Sequence, residues 1–174
     1  KAIASEYDLR ISRLHSHIGS GTDAEVWKKV ARMTLDWALE FSEVDTVNLG
    51  GGFKVARMAD EKSTCLQEAG QVIKEEFVAV YEKTGRKLHL EIEPGTYIAA
   101  SSGVLLCRVD DMIRTGEDGY SFLKVNAGMD VITRPALYAS RHPLIVISDE
   151  DPKETAEYVV TGHCCESGDV FTIG

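Results

Sequence analysis

The sequence has no basic tract, no long apolar run and few cysteines or prolines, and each shortage narrows what it can be. Lysine and arginine number 19 against 28 aspartates and glutamates, a formal net charge of -9 over 174 residues. Nucleic acid and anionic membrane surfaces are therefore poor partners. No apolar run reaches membrane-spanning length, and no signal-peptide pattern is present. The four cysteines, Cys65, Cys107, Cys164 and Cys165, match no zinc-knuckle spacing, and pairing the adjacent two would strain the chain. Reduced thiols and a cytoplasmic location are expected. There is no GxGxxG, no Gly-Lys-Ser/Thr P-loop and no assignable Ser-His-Asp set. The first residue is Lys1 rather than methionine, and the last residues close an apolar stretch, Val170–Ile173, so a longer parent protein is expected.

What is present alternates. Leu9–Leu14 alternates apolar and polar residues as a strand does, then runs into the polar, glycine-rich loop HSHIGSG at 15–21. Thr22-x-x-Glu25 has the capping-box pattern, and Val26, Val30, Met33, Trp37 and Phe41 follow at helical spacing. Val44–Leu49 predicts a second strand ending in Gly50-Gly51-Gly52-Phe53. Leu66, Ala69, Ile73, Phe77 and Val80 predict a second helix, broken at Gly85. Lys87–Ile92 predicts a third strand delivering Glu93-Pro94-Gly95-Thr96. Parallel βα units follow from this order.

After Thr96 the texture changes. Tyr97–Val109, Ser121–Asn126, Ala136–Tyr138, Pro143–Ser148 and Tyr158–Thr161 predict short strands, and Asp149–Ala156 an acidic surface loop. A boundary is expected near residues 95–103.

Several residues could carry chemistry, each with a structural alternative. Glycines 50–52 lack Cβ atoms, so their N–H groups could approach a phosphate, or could simply make a tight turn. His15-x-His17 is a spacing that metals use, but further ligands are not apparent and no metal is assigned. Glu93 suits a cationic ring nitrogen or a salt bridge. Arg134 suits a carboxylate or a surface ion pair. GHCCESGD at 162–169 joins two thiols, an acid and a glycine turn, or is a buried cysteine pair.

Together HSHIGSG at 15–21, LGGGF at 49–53, EPGT at 93–96, NAGMDVITRPALY at 126–138 and CCESGD at 164–169 resemble the fold-type III, alanine-racemase-like decarboxylases that use pyridoxal 5'-phosphate, the diaminopimelate-acting branch above all. The resemblance implies an α/β barrel, here a partial TIM-type barrel of later βα units over 1–97, followed by part of a β-rich C-terminal domain over 98–174. It implies decarboxylation of meso-diaminopimelate to L-lysine through a pyridoxal-phosphate aldimine. His17 resembles the histidine that stacks on the cofactor ring. Ser20, Gly50, Gly51, Gly52 and Gly95 resemble the phosphate-binding groups, and Glu93 the partner of the pyridine nitrogen. Cys165 resembles the cysteine that reprotonates the α-carbon. Glu166, Arg134 and Tyr138 resemble the groups that hold the far end of the substrate. A homodimer with shared active sites is implied.

Two departures stand out. Thr96 follows Glu-Pro-Gly where the family often has arginine. No motif like Tyr-Ala-x-Lys-Ala-Asn is present to carry the Schiff-base lysine, and Lys1 is no substitute. Activity is therefore expected of a longer protein rather than of these residues alone. The resemblance also admits a sister decarboxylase for ornithine, arginine or a carboxylated polyamine. From another class, it admits a non-catalytic truncated relative acting in dimerisation or regulation.

Overall fold

The computed structural model describes residues 1–149 and 155–172. Most of the acidic segment Asp149–Ala156, and Ile173 at the end of the last apolar stretch, lie outside the described residues. The chain divides into two units, one formed by Lys1–Ala56 and Asp60–Gly103, the other by Arg57–Ala59 and Val104–Gly174.

In the first unit, a short helix α1 (Ala2–Glu6) precedes β1 (Arg13–His15), α2 (Ala24–Leu39), β2 (Thr46–Asn48), α3 (Leu66–Thr84), β3 (His89–Glu91) and α4 (Gly95–Ala99). The strands are parallel and ordered β1-β2-β3, with Leu14 opposite Val47 and Val47 opposite Leu90. The expectation of a partial TIM-type barrel is overturned. The sheet is open, with β1 and β3 each paired on one side, and no barrel closure is present. Alternating strand and helix patterns predict parallel βα units but do not distinguish open from closed sheets. A TIM-type barrel closes with eight tilted strands, far more than three short ones supply.

Helix α2 shows why its sequence pattern misleads. It carries two apolar stripes. The buried one is Trp27, Ala31, Thr34, Leu35 and Ala38, which packs with Val44, Val47, Leu49, Phe53, Ala69 and Ile73. The stripe of larger residues lies outside it, with Met33 54% and Trp37 65% exposed. Trp27 and Leu35 fill the core from this stripe, while Ala31 and Ala38 between them let the helix approach its neighbours closely. Asp23, not Thr22, caps α2, accepting from the Glu25 N–H at 2.9 Å. Helix α3 ends at Gly85 in the left-handed region, φ 71°.

Two arginines lock these layers. The Arg86 guanidinium donates to the backbone carbonyls of Ala38, Phe41 and Val44, closing the turn after α2. Arg32 forks onto Glu76 at 2.7 and 2.9 Å, joining α2 to α3. The Arg32 hydrogen bonds hold the Glu76 carboxyl below the usual carboxylate range against the opposing effect of its burial.

The second unit contains β4 (Val109–Arg114), β5 (Ser121–Val125), α5 (Arg134–Tyr138) and β6 (Val159–Thr161). Strands β4 and β5 are antiparallel, β5 and β6 parallel. Three local expectations fail here. Tyr97–Val109 is not a strand, since α4 occupies its start. Ala136–Tyr138 is helical because Pro135 sits in the first turn, where its missing N–H costs nothing. Strand β4 is hidden in the sequence by Asp110 and Asp111, and no element covers 143–148. Among the described residues no helix is long and apolar enough to cross a membrane.

Candidate functional site

Parallel strands deliver their C-terminal loops to one edge, so the loops after β1, β2 and β3 meet there. The meeting is through backbone. Gly21 N–H donates to Gly52 O at 3.1 Å, and Glu93 N–H to Gly50 O at 2.8 Å. Glycine is required for this approach at residue 52. Its φ is +92°, and a Cβ there would run into the Gly19 carbonyl oxygen. Phe53 anchors the run from below, stacked on buried Trp27 with ring centroids 4.3 Å apart.

The amides of the glycine run are not equivalent. Gly50 N–H is spent on Asn48 Oδ1 at 2.7 Å, and Gly51 N–H on His17 Nδ1 at 3.2 Å. Gly52 N–H and the Ser20 hydroxyl make no hydrogen bond within the described residues, which leaves both for a ligand. Gly95 N–H turns back to Glu93 O at 2.9 Å. Because His17 Nδ1 accepts from Gly51, a neutral ring carries its proton on Nε2, and the exposed imidazole is fixed in orientation.

Glu93 is held for use rather than buried. Its side chain is 55% exposed, with Oε1 accepting from Asn48 Nδ2 at 2.9 Å and Oε2 lying 3.6 Å from His15 Nε2. Sequence reasoning missed Asn48 and His15 in this supporting role. Their places at the ends of β2 and β1 are the signal that could have found them. A cavity of about 480 Å³ opens beside the same loop, lined by Leu14, His15, Ser16 and His17 on one side and Met33 and Trp37 on the other.

The remaining predicted residues lie in the second unit. Arg134 stacks its guanidinium over the Tyr138 ring at 5.3 Å and donates to Ser140 Oγ at 3.3 Å. Its Nε is buried and has no hydrogen-bond partner among the described residues. A buried guanidinium N–H without an acceptor is costly. Cys165 and Glu166 are exposed on the turn after β6, where Glu166 Oε1 accepts from Gly168 N–H at 3.2 Å. Asp169 is 4% exposed and accepts from Met129 N–H at 2.7 Å and Cys164 N–H at 2.8 Å. It thereby ties the 126–133 segment to the CCESGD turn. All four cysteines are free.

Sequence reading also missed a cluster here. Asp130, His163 and Cys164 present ligand-type atoms that all lie within 4.8 Å of one another. The His163 contact holds the Asp130 carboxyl below its ordinary range. Partial burial pushes the Cys164 thiol up, and the charges of Asp169 and Asp130 add to it. Thirty-three residues separate Asp130 from His163, so nothing local joins them.

The residues of the first unit fit a phosphorylated pyridine cofactor. There is a glycine cradle no Cβ could enter, an amide and a hydroxyl left over beside it, and an oriented, accessible carboxylate opposite.

Comparison with known proteins agrees. A family model described as "Pyridoxal-dependent decarboxylase, C-terminal sheet domain" matches residues 14–173. That description, with the open sheet, removes the TIM-type barrel expected from sequence. A diaminopimelate decarboxylase of Buchnera aphidicola (subsp. Acyrthosiphon pisum) is 31% identical over 98% of this chain, which covers 42% of that protein. The Escherichia coli K12 diaminopimelate decarboxylase is 30% identical over 98% of this chain and 41% of its own. The chain thus spans about two fifths of the relatives it matches. Among solved structures, a diaminopimelate decarboxylase superposes with a TM-score of 0.85 at 31% identity, over 98% of this chain and 41% of that one. The Methanocaldococcus jannaschii enzyme in co-complex with L-lysine gives 0.79 at 28%, over 98% of this chain and 40% of that one.

Proposed function

Because the chain belongs to the pyridoxal-dependent decarboxylase family, we propose that the protein containing it removes CO2 from meso-diaminopimelate to give L-lysine. The observation carrying this is the convergence of three strand-end loops on Gly50–Gly52 with Glu93 held accessible by Asn48. The relatives named as diaminopimelate decarboxylases supply the substrate.

In this reading residues 1–97 hold the cofactor and residues 98–174 carry the substrate-facing groups. His17, locked by Gly51, presents its ring to one face of the pyridine. Glu93 would pair with the pyridine nitrogen and favour its protonated form, since a nearby carboxylate raises that nitrogen's affinity for a proton. Gly52 N–H and the Ser20 hydroxyl hold phosphate, with Gly50, Gly51 and Gly95 shaping the cradle. Thr96 offers one hydrogen bond where a guanidinium would offer a charged fork. Bound pyridoxal phosphate supplies an electron sink for the pair left when CO2 departs.

Cys165 returns a proton to the α-carbon. Arg134 takes the distal carboxylate, beside Tyr138, and Glu166 takes the distal ammonium. The protein is a cytoplasmic homodimer in this account, with Cys165, Glu166, Arg134 and Tyr138 of one subunit serving the cofactor held by the other.

The test is CO2 release by the full-length protein from meso-diaminopimelate, ornithine and arginine. Diaminopimelate is expected to be the preferred substrate. Strong ornithine turnover with negligible diaminopimelate turnover would overturn the assignment, and no turnover of any would favour a non-catalytic relative. Cys165→Ala is expected to lower kcat by about a hundredfold or more, as loss of a positioned proton donor does, while cofactor affinity holds. Unchanged kcat would remove its role.

A further inference from the structure

Asp130, His163 and Cys164 have no part in that chemistry, yet the fold goes to some length to bring them together. His163 Nε2 lies 3.1 Å and Cys164 Sγ 3.5 Å from the same Asp130 oxygen, Oδ1. Gly128 makes room for them: a Cβ there would meet Cys164 Sγ and His163 Cδ2, both at 2.9 Å. Asp169, by accepting from Met129 and Cys164 N–H groups, fixes the two backbone segments that carry the three side chains.

We propose that Asp130, His163 and Cys164 form a three-ligand site for a borderline divalent cation of the zinc class, with water in the fourth position. The donor set is one thiolate sulfur, one imidazole nitrogen and one carboxylate oxygen, the mixture zinc prefers. Zinc bond lengths of about 2.0–2.3 Å and tetrahedral angles place ligand atoms about 3.3–3.8 Å apart. Two of the three separations, 3.1 and 3.5 Å, sit at the lower end of that range and the third is no more than 4.8 Å, so the side chains close onto an ion without a change in the backbone that carries them. One thiolate and one carboxylate neutralise the ion when Cys164 gives up its proton to solvent on binding. Asp169, already committed to two amides, is the supporting partner rather than a ligand. Cys164 is half-buried and Asp130 and His163 are exposed, so the ion has a way in. Its role is positional: it clamps the 126–133 segment to the turn bearing Cys165 and Glu166.

The experiment uses full-length protein stripped with chelator, then titrated with Zn2+ by calorimetry and with Co2+ by visible absorption. One ion per chain is expected, with the intense red-visible bands of tetrahedral cobalt. Cys164→Ser, His163→Gln and Asp130→Asn should each weaken Zn2+ binding at least about a hundredfold, the upper end of what loss of even a supporting partner costs. Cys65→Ser and Cys107→Ser should not change it. The wild-type titration decides the question without any variant: no stoichiometric binding, or cobalt bands of octahedral intensity only, overturns the site. Binding that is lost in Cys165→Ser yet survives His163→Gln and Asp130→Asn would place the ion on the vicinal thiols and equally overturn it. The readout is metal binding, so failure of the decarboxylase assignment would leave it standing.

Discussion

Gly52→Ala is expected to destabilise the protein by about 3 kcal/mol. The left-handed backbone costs an alanine about 1–2 kcal/mol, and forcing a methyl into a packed site costs about 1–3 more. The nearest neighbour of the new Cβ is the Gly19 carbonyl oxygen, which is backbone and cannot swing aside as a side chain could. Relief would have to separate the loop after β1 from the loop after β2, breaking the Gly21 N–H to Gly52 O bond at 3.1 Å. That bond helps define the cradle, so pyridoxal-phosphate affinity of the full-length protein should fall by at least about tenfold, the equivalent of 1.4 kcal/mol. Gly70→Ala is the contrast. Gly70 lies within α3 with nothing within 4 Å of a Cβ, so the same chemical change should stabilise by about 0.5–1 kcal/mol. Thermal unfolding of the two variants beside wild type checks both signs. Equal behaviour would mean that the close approach at residue 52 is not real.

Asp169→Ala should cost about 3 kcal/mol through a different cause. Removing this buried carboxylate strands the Met129 and Cys164 N–H groups, and each unsatisfied buried donor costs about 1–3 kcal/mol. Asp169→Asn retains one acceptor oxygen and should lose about half as much. Hydrogen exchange localises the effect. The Met129 and Cys164 amides should lose protection in Asp169→Ala, while the β1–β2–β3 sheet keeps its own. In the proposed enzyme this variant should also lower kcat, because the turn carrying Cys165 and Glu166 is attached through Asp169. Full protection at both amides would show that the carboxylate does not hold them.

The contrast between these two sites shows what was legible from residues alone. The strand-end loops were visible because periodicity breaks at HSHIGSG, LGGGF and EPGT, and parallel βα order sends those breaks to one edge. The supporting contacts were not, since Asn48 and His15 look like ordinary strand-end residues until Glu93 arrives between them. Helix α2 carries two apolar stripes, and spacing alone does not say that the one with Trp27, Ala31, Leu35 and Ala38 faces the core. The five-residue helices α4 and α5 are too short for any period to register, so Ala136–Tyr138 reads as a short strand where the structure has α5. The partial TIM-type barrel comes from the resemblance rather than from the residues' own pattern, and the open three-stranded sheet corrects it. The Asp130–His163–Cys164 cluster depends on a pairing 33 residues long, which no spacing rule reaches.

The central claim is that the loops after β1, β2 and β3 hold pyridoxal phosphate in a stated orientation. A crystal structure of the full-length protein with that cofactor tests it most directly. The prediction is phosphate against Gly52 N–H and the Ser20 hydroxyl, the ring on the His17 imidazole, and the pyridine nitrogen within hydrogen-bond distance of the Glu93 carboxylate. Phosphate bound away from the glycine run, or a pyridine nitrogen facing solvent with Glu93 unengaged, would contradict it.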